Sequence, residues 1–144
     1  MSDQREPLRH RTAMTYEQML EKVRYEGAYP TRERAAEAVR LVLSGLGRRL
    51  VGEERVELAA RLPFEAAQIF TGEVPSAERL TGWAFVKDLA SRTGAAPATV
   101  RWDTGAVLTA VAALAGPGLL TRILDQLPSG YALLFGRAEL VQAA

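Results

Sequence analysis

The single histidine, His10, is the first residue to consider for catalysis or metal binding. It lies among polar and charged residues in a segment that we expect to be disordered, and the sequence has no cysteine. Zinc and iron sites of the usual kind need several such ligands, and Ser-His-Asp catalysis needs a base that is held in place. The sequence therefore predicts no metal site and no cofactor, and it identifies no catalytic residue.

The carboxylates are the remaining candidates for acid–base chemistry. Three glutamates cluster at the start of a predicted helix, where the helix dipole favours solvated carboxylates: Glu53, Glu54 and Glu57. Aspartates among apolar residues are better candidates for perturbed pKa values, and each has an arginine nearby: Asp88 with Arg92, Asp103 with Arg101, and Asp125 with Arg122. We favour structural salt bridges in these pairs, with a site that uses Asp88 or Asp103 as the alternative.

Two Gly-x-Gly sequences do not predict a phosphate-binding loop. They are Gly45-Leu46-Gly47 and Gly116-Pro117-Gly118. Neither follows a predicted strand and neither extends to a full nucleotide-binding fingerprint. For Gly45 and Gly47 the simpler interpretation is a packing role, in which glycine permits the close approach of another helix. Gly116-Pro117-Gly118 is predicted to be a helix break.

Arginines recur along one predicted helix and could form a basic strip. Arg34 and Arg48 would share one side of that helix, flanked by Arg32 and Arg49. The chain as a whole has 18 basic and 17 acidic residues, a net charge of +1, whereas nucleic-acid-binding proteins usually show a larger imbalance. A solvated helix face is therefore favoured, and contact with nucleic acid is kept as an alternative.

The two tryptophans are the strongest candidates for an interaction surface. Core packing is the usual role of each, but Trp102 lies between Arg101 and Asp103 at the start of a predicted helix, where one side should face solvent. An exposed tryptophan beside an arginine is a common interface anchor. Tyr25, Tyr29 and Phe64 could extend such a patch. The candidate interaction surface consists of Trp102, Arg101 and Trp83, together with Arg32, Arg34, Arg48 and Arg49.

A sequence unit of roughly 55 residues, which is expected to position these side chains, occurs twice, as in stacked helical repeats. The copies run from Thr15 to Phe70 and from Thr81 to Phe135, and each contains a Gly-Ala-x-Pro turn, a long apolar-periodic run and a Leu-Pro pair. No run alternates with the period of a strand. The predicted fold is all-α, with about eight helices in two homologous helical units packed pseudo-symmetrically.

The domain organisation follows from this repeat. We predict a disordered polar arm (1–13), a first helical repeat (14–70), a linker (71–76), a second helical repeat (77–137) and a tail (138–144). The long helix of the second repeat is apolar nearly all round, which indicates a central position or a dimer interface. We expect a cytoplasmic protein, because no leader-like segment and no apolar run near the ~20 residues of a membrane span is evident.

The sequence pattern of the first copy resembles that of a bacterial family catalogued as domain of unknown function 2267, and the residues below carry the resemblance. They are Thr15-Tyr16, Met19-Leu20, Ala38-Val39-Arg40, Val42-Leu43, Leu46, Arg49-Leu50, Glu54, Glu57-Leu58-Ala59-Ala60 and Leu62-Pro63. The resemblance covers Thr15 to Phe135 and implies a tandem helical repeat in a small bacterial cytosolic protein. The second copy departs from the first at Ala112-Ala113 and at Gly116-Pro117-Gly118. The resemblance implies no reaction.

These observations favour a non-enzymatic protein-interaction or adaptor module. The expected partner is another protein, with a second copy of the chain as one option. Two alternatives stay open: a nucleic-acid-associated factor that uses the arginine-bearing helix face, and a small-ligand binder or enzyme with its site between the two repeats. No membrane partner is expected.

Overall fold

The computed structural model describes residues 14–137. This part of the chain contains seven α-helices joined by loops and has no strand. They are α1 (Tyr16–Gly27), α2 (Arg32–Gly47), α3 (Gly52–Arg61), α4 (Phe64–Thr71), α5 (Gly82–Thr93), α6 (Pro97–Gln126) and α7 (Tyr131–Leu134). The all-α class is confirmed. The predicted arm (1–13) and tail (138–144) lie outside the described residues.

Threonine side chains define the beginnings of three helices. The hydroxyls of Thr15, Thr31 and Thr81 each accept a hydrogen bond from the backbone N–H three residues further on. At α1 the Gln18 side chain also accepts from the backbone N–H of Thr15, which completes a capping box. The short-range sequence determines where these three helices begin, because each cap satisfies backbone N–H donors that the first helical turn leaves free.

The end of α1 depends on two neighbouring residues, Gly27 and Ala28. Gly27 is the last helical residue, and Ala28 adopts the left-handed conformation with φ 53°. A Cβ on Gly27 would lie 2.3 Å from Cε2 of Tyr29. Glycine is therefore required here to admit the Tyr29 ring, and the alanine takes the conformation that glycine usually supplies.

Helix α6 is central, as its apolar sequence indicates. It contacts α1, α2, α3, α5 and α7, and its buried residues include Val107, Leu108 and Val111. The backbone is non-helical at Gly116 (φ 81°, ψ 161°), where a break was predicted. The helix resumes directly at Pro117, so the described residues contain seven helices where about eight were predicted.

The apolar composition of α6 has a second consequence. An 18-residue window of this helix has a mean hydropathy of 1.7, which meets the length and composition of a membrane span. Within the fold, 44% of that window is buried against the other helices. A central core helix can have the same length and composition, so these two properties do not by themselves indicate a membrane span.

Close packing joins the first and second halves of the chain. A Cβ on Gly45 of α2 would lie 2.9 Å from Leu89 and 3.1 Å from Phe85, both on α5. The Arg61 guanidinium donates to the carbonyl of Ala115, next to the break in α6. The predicted packing role of Gly45 is therefore confirmed, since a side chain at this position would separate α2 from α5.

Alkaline pH should weaken the fold through Tyr131. Its hydroxyl donates to the carbonyl of Leu80 at 2.9 Å, and its ring packs against Phe85 at 5.5 Å between centroids. Burial raises the pKa of Tyr131 to about 12, whereas an unfolded tyrosine ionises near pH 10. Between these values the unfolded chain loses a proton that the folded chain keeps, so the free energy of unfolding falls as pH rises.

Urea denaturation at a series of pH values checks this prediction. The free energy of unfolding should not vary with pH on account of Tyr131 below about pH 10, and Tyr131→Phe should reduce the slope between about pH 10 and 12. An unchanged slope in Tyr131→Phe would show that other groups cause the alkaline loss.

Candidate interaction surface

Trp102, near the beginning of α6, is both exposed and held in place. Its side chain is 57% exposed, yet its indole Nε1–H donates to the carbonyl of Gly27 at 2.8 Å. This hydrogen bond joins α6 to the end of α1. The two bonded residues, Trp102 and Gly27, are 75 residues apart in sequence. The ring therefore presents apolar area at the surface with its orientation already fixed, which lowers the entropy lost on binding.

A concavity of about 470 Å³ opens on one side of Trp102. We call it the tyrosine concavity. Its walls come from the α1–α2 loop, from α2 and from the first turns of α6. It is lined by Gly27, Tyr29, Pro30, Arg34, Ala98, Thr99, Trp102 and Asp103.

Three side chains of this concavity bind one another. Asp103 Oδ1 accepts from the Tyr29 hydroxyl at 2.5 Å, and Arg34 Nη2 donates to both carboxylate oxygens at 3.0 Å. The Arg34 guanidinium also lies over the Tyr29 ring, 4.9 Å from its centroid. Asp103 is only 4% exposed, so its charge depends on these donors.

The electrostatics of this cluster keep the Tyr29 phenol protonated and the Arg34 guanidinium charged at neutral pH. Burial, followed by the hydrogen bond to Asp103, raises the pKa of Tyr29 well above its usual value, so the phenol stays protonated and donates. Burial opposes the charge on Arg34, but the hydrogen bond and charge of Asp103 outweigh it and raise the pKa of Arg34. The cluster is a satisfied structural link between α2 and α6.

A second concavity, of about 250 Å³, opens on the other side of Trp102. We call it the leucine concavity, because Leu133 and Leu134 of α7 form part of its wall. Leu133 is largely exposed. The full lining is Glu26, Arg101, Trp102, Gly105, Ala106, Thr109, Leu133 and Leu134. Trp102 and Arg101, adjacent in the predicted surface, therefore meet in this concavity.

Trp83, the other predicted tryptophan, lies elsewhere on the surface. It is on the first turn of α5, is also 57% exposed, and lines neither concavity. The Lys87 ammonium lies 6.0 Å from its ring centroid. The structure therefore keeps Trp83 exposed but does not place it beside Trp102.

The predicted arginine strip is divided among internal partners. Arg32 pairs with Glu21 at 2.9 Å and Arg34 pairs with Asp103. Arg48 pairs with Glu73 at 3.0 Å, and Arg49 donates to the carbonyl of Glu78 at 2.7 Å. Each guanidinium thus has a protein acceptor, which reduces the positive potential that the row of arginines would present.

The aspartate pairs match the prediction at one position. Asp88 and Arg92 form an i,i+4 salt bridge at 2.9 Å. Asp103 pairs with Arg34 and not with Arg101, because residues two apart on a helix point to different sides. The predicted partner of Asp125, Arg122, instead pairs across helices with Glu57 at 2.6 Å and Glu54 at 3.4 Å.

Tyr29 is the residue whose role the sequence concealed. We expected it to extend an exposed aromatic patch, but it is buried and donates to Asp103. Tyr25 and Phe64 are exposed and line neither concavity beside Trp102. The nearest sequence signal for Tyr29 is its place in the Gly-Ala-x-Pro turn, which marks a turn but names no partner 74 residues away.

Features that point to an unfilled polar site are lacking across residues 14–137. No three histidine, cysteine, aspartate or glutamate side chains of this range converge as a metal site. Every buried side-chain nitrogen and oxygen of the range has a hydrogen-bond partner. His10 lies outside the described residues.

The fold and this surface define an all-helical protein with an anchored tryptophan between two concavities. The family model described as "Uncharacterized conserved protein (DUF2267)" matches residues 16–134, and the chain belongs to this family. No curated protein matches the chain.

Proposed function

We propose that this chain is a non-enzymatic protein-interaction module that binds its partner through Trp102 and the two concavities beside it. The observation that carries the proposal is the indole of Trp102, which is 57% exposed while its N–H is bound to the Gly27 carbonyl. Tryptophan is enriched among residues that dominate binding energy, and a fixed ring makes a better anchor than a mobile one.

A small-ligand binder or enzyme is the second candidate, because the tyrosine concavity brings three polar side chains together. The volume of about 470 Å³ falls in the usual range for small-molecule sites. However, the Tyr29 hydroxyl and both Asp103 oxygens are already used within the cluster. A general acid or base needs a group that can reach the substrate proton, which favours the interaction module.

A nucleic-acid-associated factor has less support. The arginines that would form its surface bind carboxylates or carbonyls of the same chain. Binding through phosphate contacts would fall steeply with salt, so salt-insensitive association would remove this alternative.

We also infer that the fold arose by tandem duplication and has pseudo-symmetric halves. Helices α1 and α5 each have 12 residues, begin at a capping threonine and end at a left-handed residue, Ala28 or Gly94. Gly52, the first residue of α3, and Gly116, at the break in α6, both have positive φ. We propose a bacterial cytosolic setting for the module, with a different protein as the partner and self-association as the other option.

Alanine substitution of the two tryptophans tests the interaction proposal. Trp102→Ala should weaken capture of the partner by about 30-fold or more, the loss typical of a central anchor. Trp83→Ala is the matched control, because this tryptophan is equally exposed but lines neither concavity. Affinity capture from native extract with each variant, followed by titration of the recovered protein, gives the measurement.

The proposal requires a difference between these two variants. Retention of the partner by Trp83→Ala and its loss by Trp102→Ala would support it. Equal retention by both would contradict it, as would a partner that is lost with Trp83 alone. Thermal unfolding of each variant separates a binding defect from a folding defect.

A further inference from the structure

Among residues 14–137, the charged side chains around the leucine concavity leave one cation without a salt-bridge partner, Arg101. No carboxylate of residues 14–137 forms a salt bridge with Arg101, whose guanidinium lies back over Gly105. The other charged residue of the lining, Glu26, has Lys22 at 3.7 Å. Lys22 is not part of the lining, but its pairing with Glu26 offsets that negative charge, so Arg101 is left to attract a negatively charged group.

The remaining lining is mostly apolar. The exposed side chains of Trp102 and Leu133 line it together with the buried side chains of Ala106 and Leu134. Its volume of about 250 Å³ lies below the usual range for drug-sized ligands. A space of this size accepts one large apolar side chain, which favours a protein segment over an independent small molecule.

We infer that the leucine concavity binds a segment of the partner protein in which a large apolar residue is flanked by carboxylates. This inference rests on the proposed interaction function and specifies the chemistry of its partner. The apolar side chain packs between Trp102 and Leu133, and a flanking carboxylate binds Arg101. A segment with basic flanking residues is rejected by the same guanidinium, so one residue supplies both attraction and discrimination.

Fluorescence of Trp102 provides a direct test. The chain has two tryptophans, so Trp83→Phe leaves Trp102 as the only indole reporter. The probes are capped peptides of equal length with a central Glu-Leu-Glu, Lys-Leu-Lys or Glu-Gly-Glu sequence in a Gly-Ser background. Glu-Leu-Glu should shift the emission saturably and bind at least about tenfold more tightly than either other peptide.

Two variants test whether this concavity causes the preference for the acidic peptide. One removes a positive charge and the other removes a negative charge. Arg101→Gln should reduce the preference for Glu-Leu-Glu over Lys-Leu-Lys by about tenfold, whereas Glu26→Gln should maintain or increase it. Both side chains lie at the concavity, so the pair controls for a general change in surface charge.

Equal binding of the acidic and basic peptides would overturn the inference, as would the lack of any saturable shift. Partner capture that depends on Trp102, together with no acidic preference, would leave the interaction function standing and remove only this inference. Partner capture that does not depend on Trp102 would contradict both the proposed interaction function and this inference.

Discussion

Asp103→Ala is expected to lower the free energy of unfolding by about 3 kcal/mol, one of the two largest effects predicted for a single substitution in this chain. The change removes the carboxylate that accepts from Arg34 Nη2 through both oxygens, and it leaves the Tyr29 hydroxyl without its acceptor. Removing one member of a buried pair costs more than the pair contributes, because the remaining charge stays desolvated. Arg34 is 31% exposed, so water offsets part of that cost.

Urea denaturation of Asp103→Ala and two comparison variants measures this effect. Asp103→Asn keeps an oxygen that can accept from Tyr29 but loses the charge, so its cost should be intermediate. Asp88→Ala removes a carboxylate from the exposed pair with Arg92 and should cost at most about 0.5 kcal/mol. Equal costs for Asp103→Ala and Asp88→Ala would show that the buried cluster does not stabilise the fold.

The same substitution bears on the interaction surface. Asp103 follows Trp102 directly and joins α6 to α2, while the Trp102 indole joins α6 to α1. These two links fix the start of α6 against the first half of the chain. The binding surface and the stability of the fold therefore depend on neighbouring residues, and a binding variant should be checked for unfolding.

Gly47→Ala is the second large effect and should destabilise the protein by about 3 kcal/mol. A Cβ at this position would lie 2.1 Å from the backbone carbonyl oxygen of Phe70, at the end of α4. A backbone atom cannot move aside as a flexible side chain can, so α2 and α4 must separate. The same movement would disturb the Arg55 guanidinium, which donates to the carbonyls of Gly47 and Leu50.

Gly118→Ala, in α6, is the matched control for Gly47→Ala. Apart from its chain neighbours and the adjacent backbone of α6, no atom of residues 14–137 lies within 4 Å of a Cβ built on Gly118. Alanine there should raise the free energy of unfolding by up to about 1 kcal/mol through helix propensity. Opposite signs for the two variants in thermal or urea unfolding would establish that close packing, and not a general intolerance of alanine, determines the loss at Gly47.

The sequence by itself determined where the helices of this protein begin and which faces they bury. Threonine caps, glycine and proline turns and apolar periodicity act over three or four residues, so they can be read without knowledge of the fold. Thr15 with Gln18 is the clearest example, and the central position of α6 followed from its low charge. The exposure of Trp102 beside Arg101 was also predictable from its place in the first turns of a helix.

Only the tertiary structure decided which side chains meet. Arg34 is 69 residues from Asp103, and Gly27 is 75 residues from Trp102. The choice of Arg34 over Arg101, and the burial of Tyr29, depend on how α1 and α2 lie against α6. A partner distant in sequence is selected by packing geometry, because hydrogen bonds require separations near 3 Å that no local sequence pattern specifies.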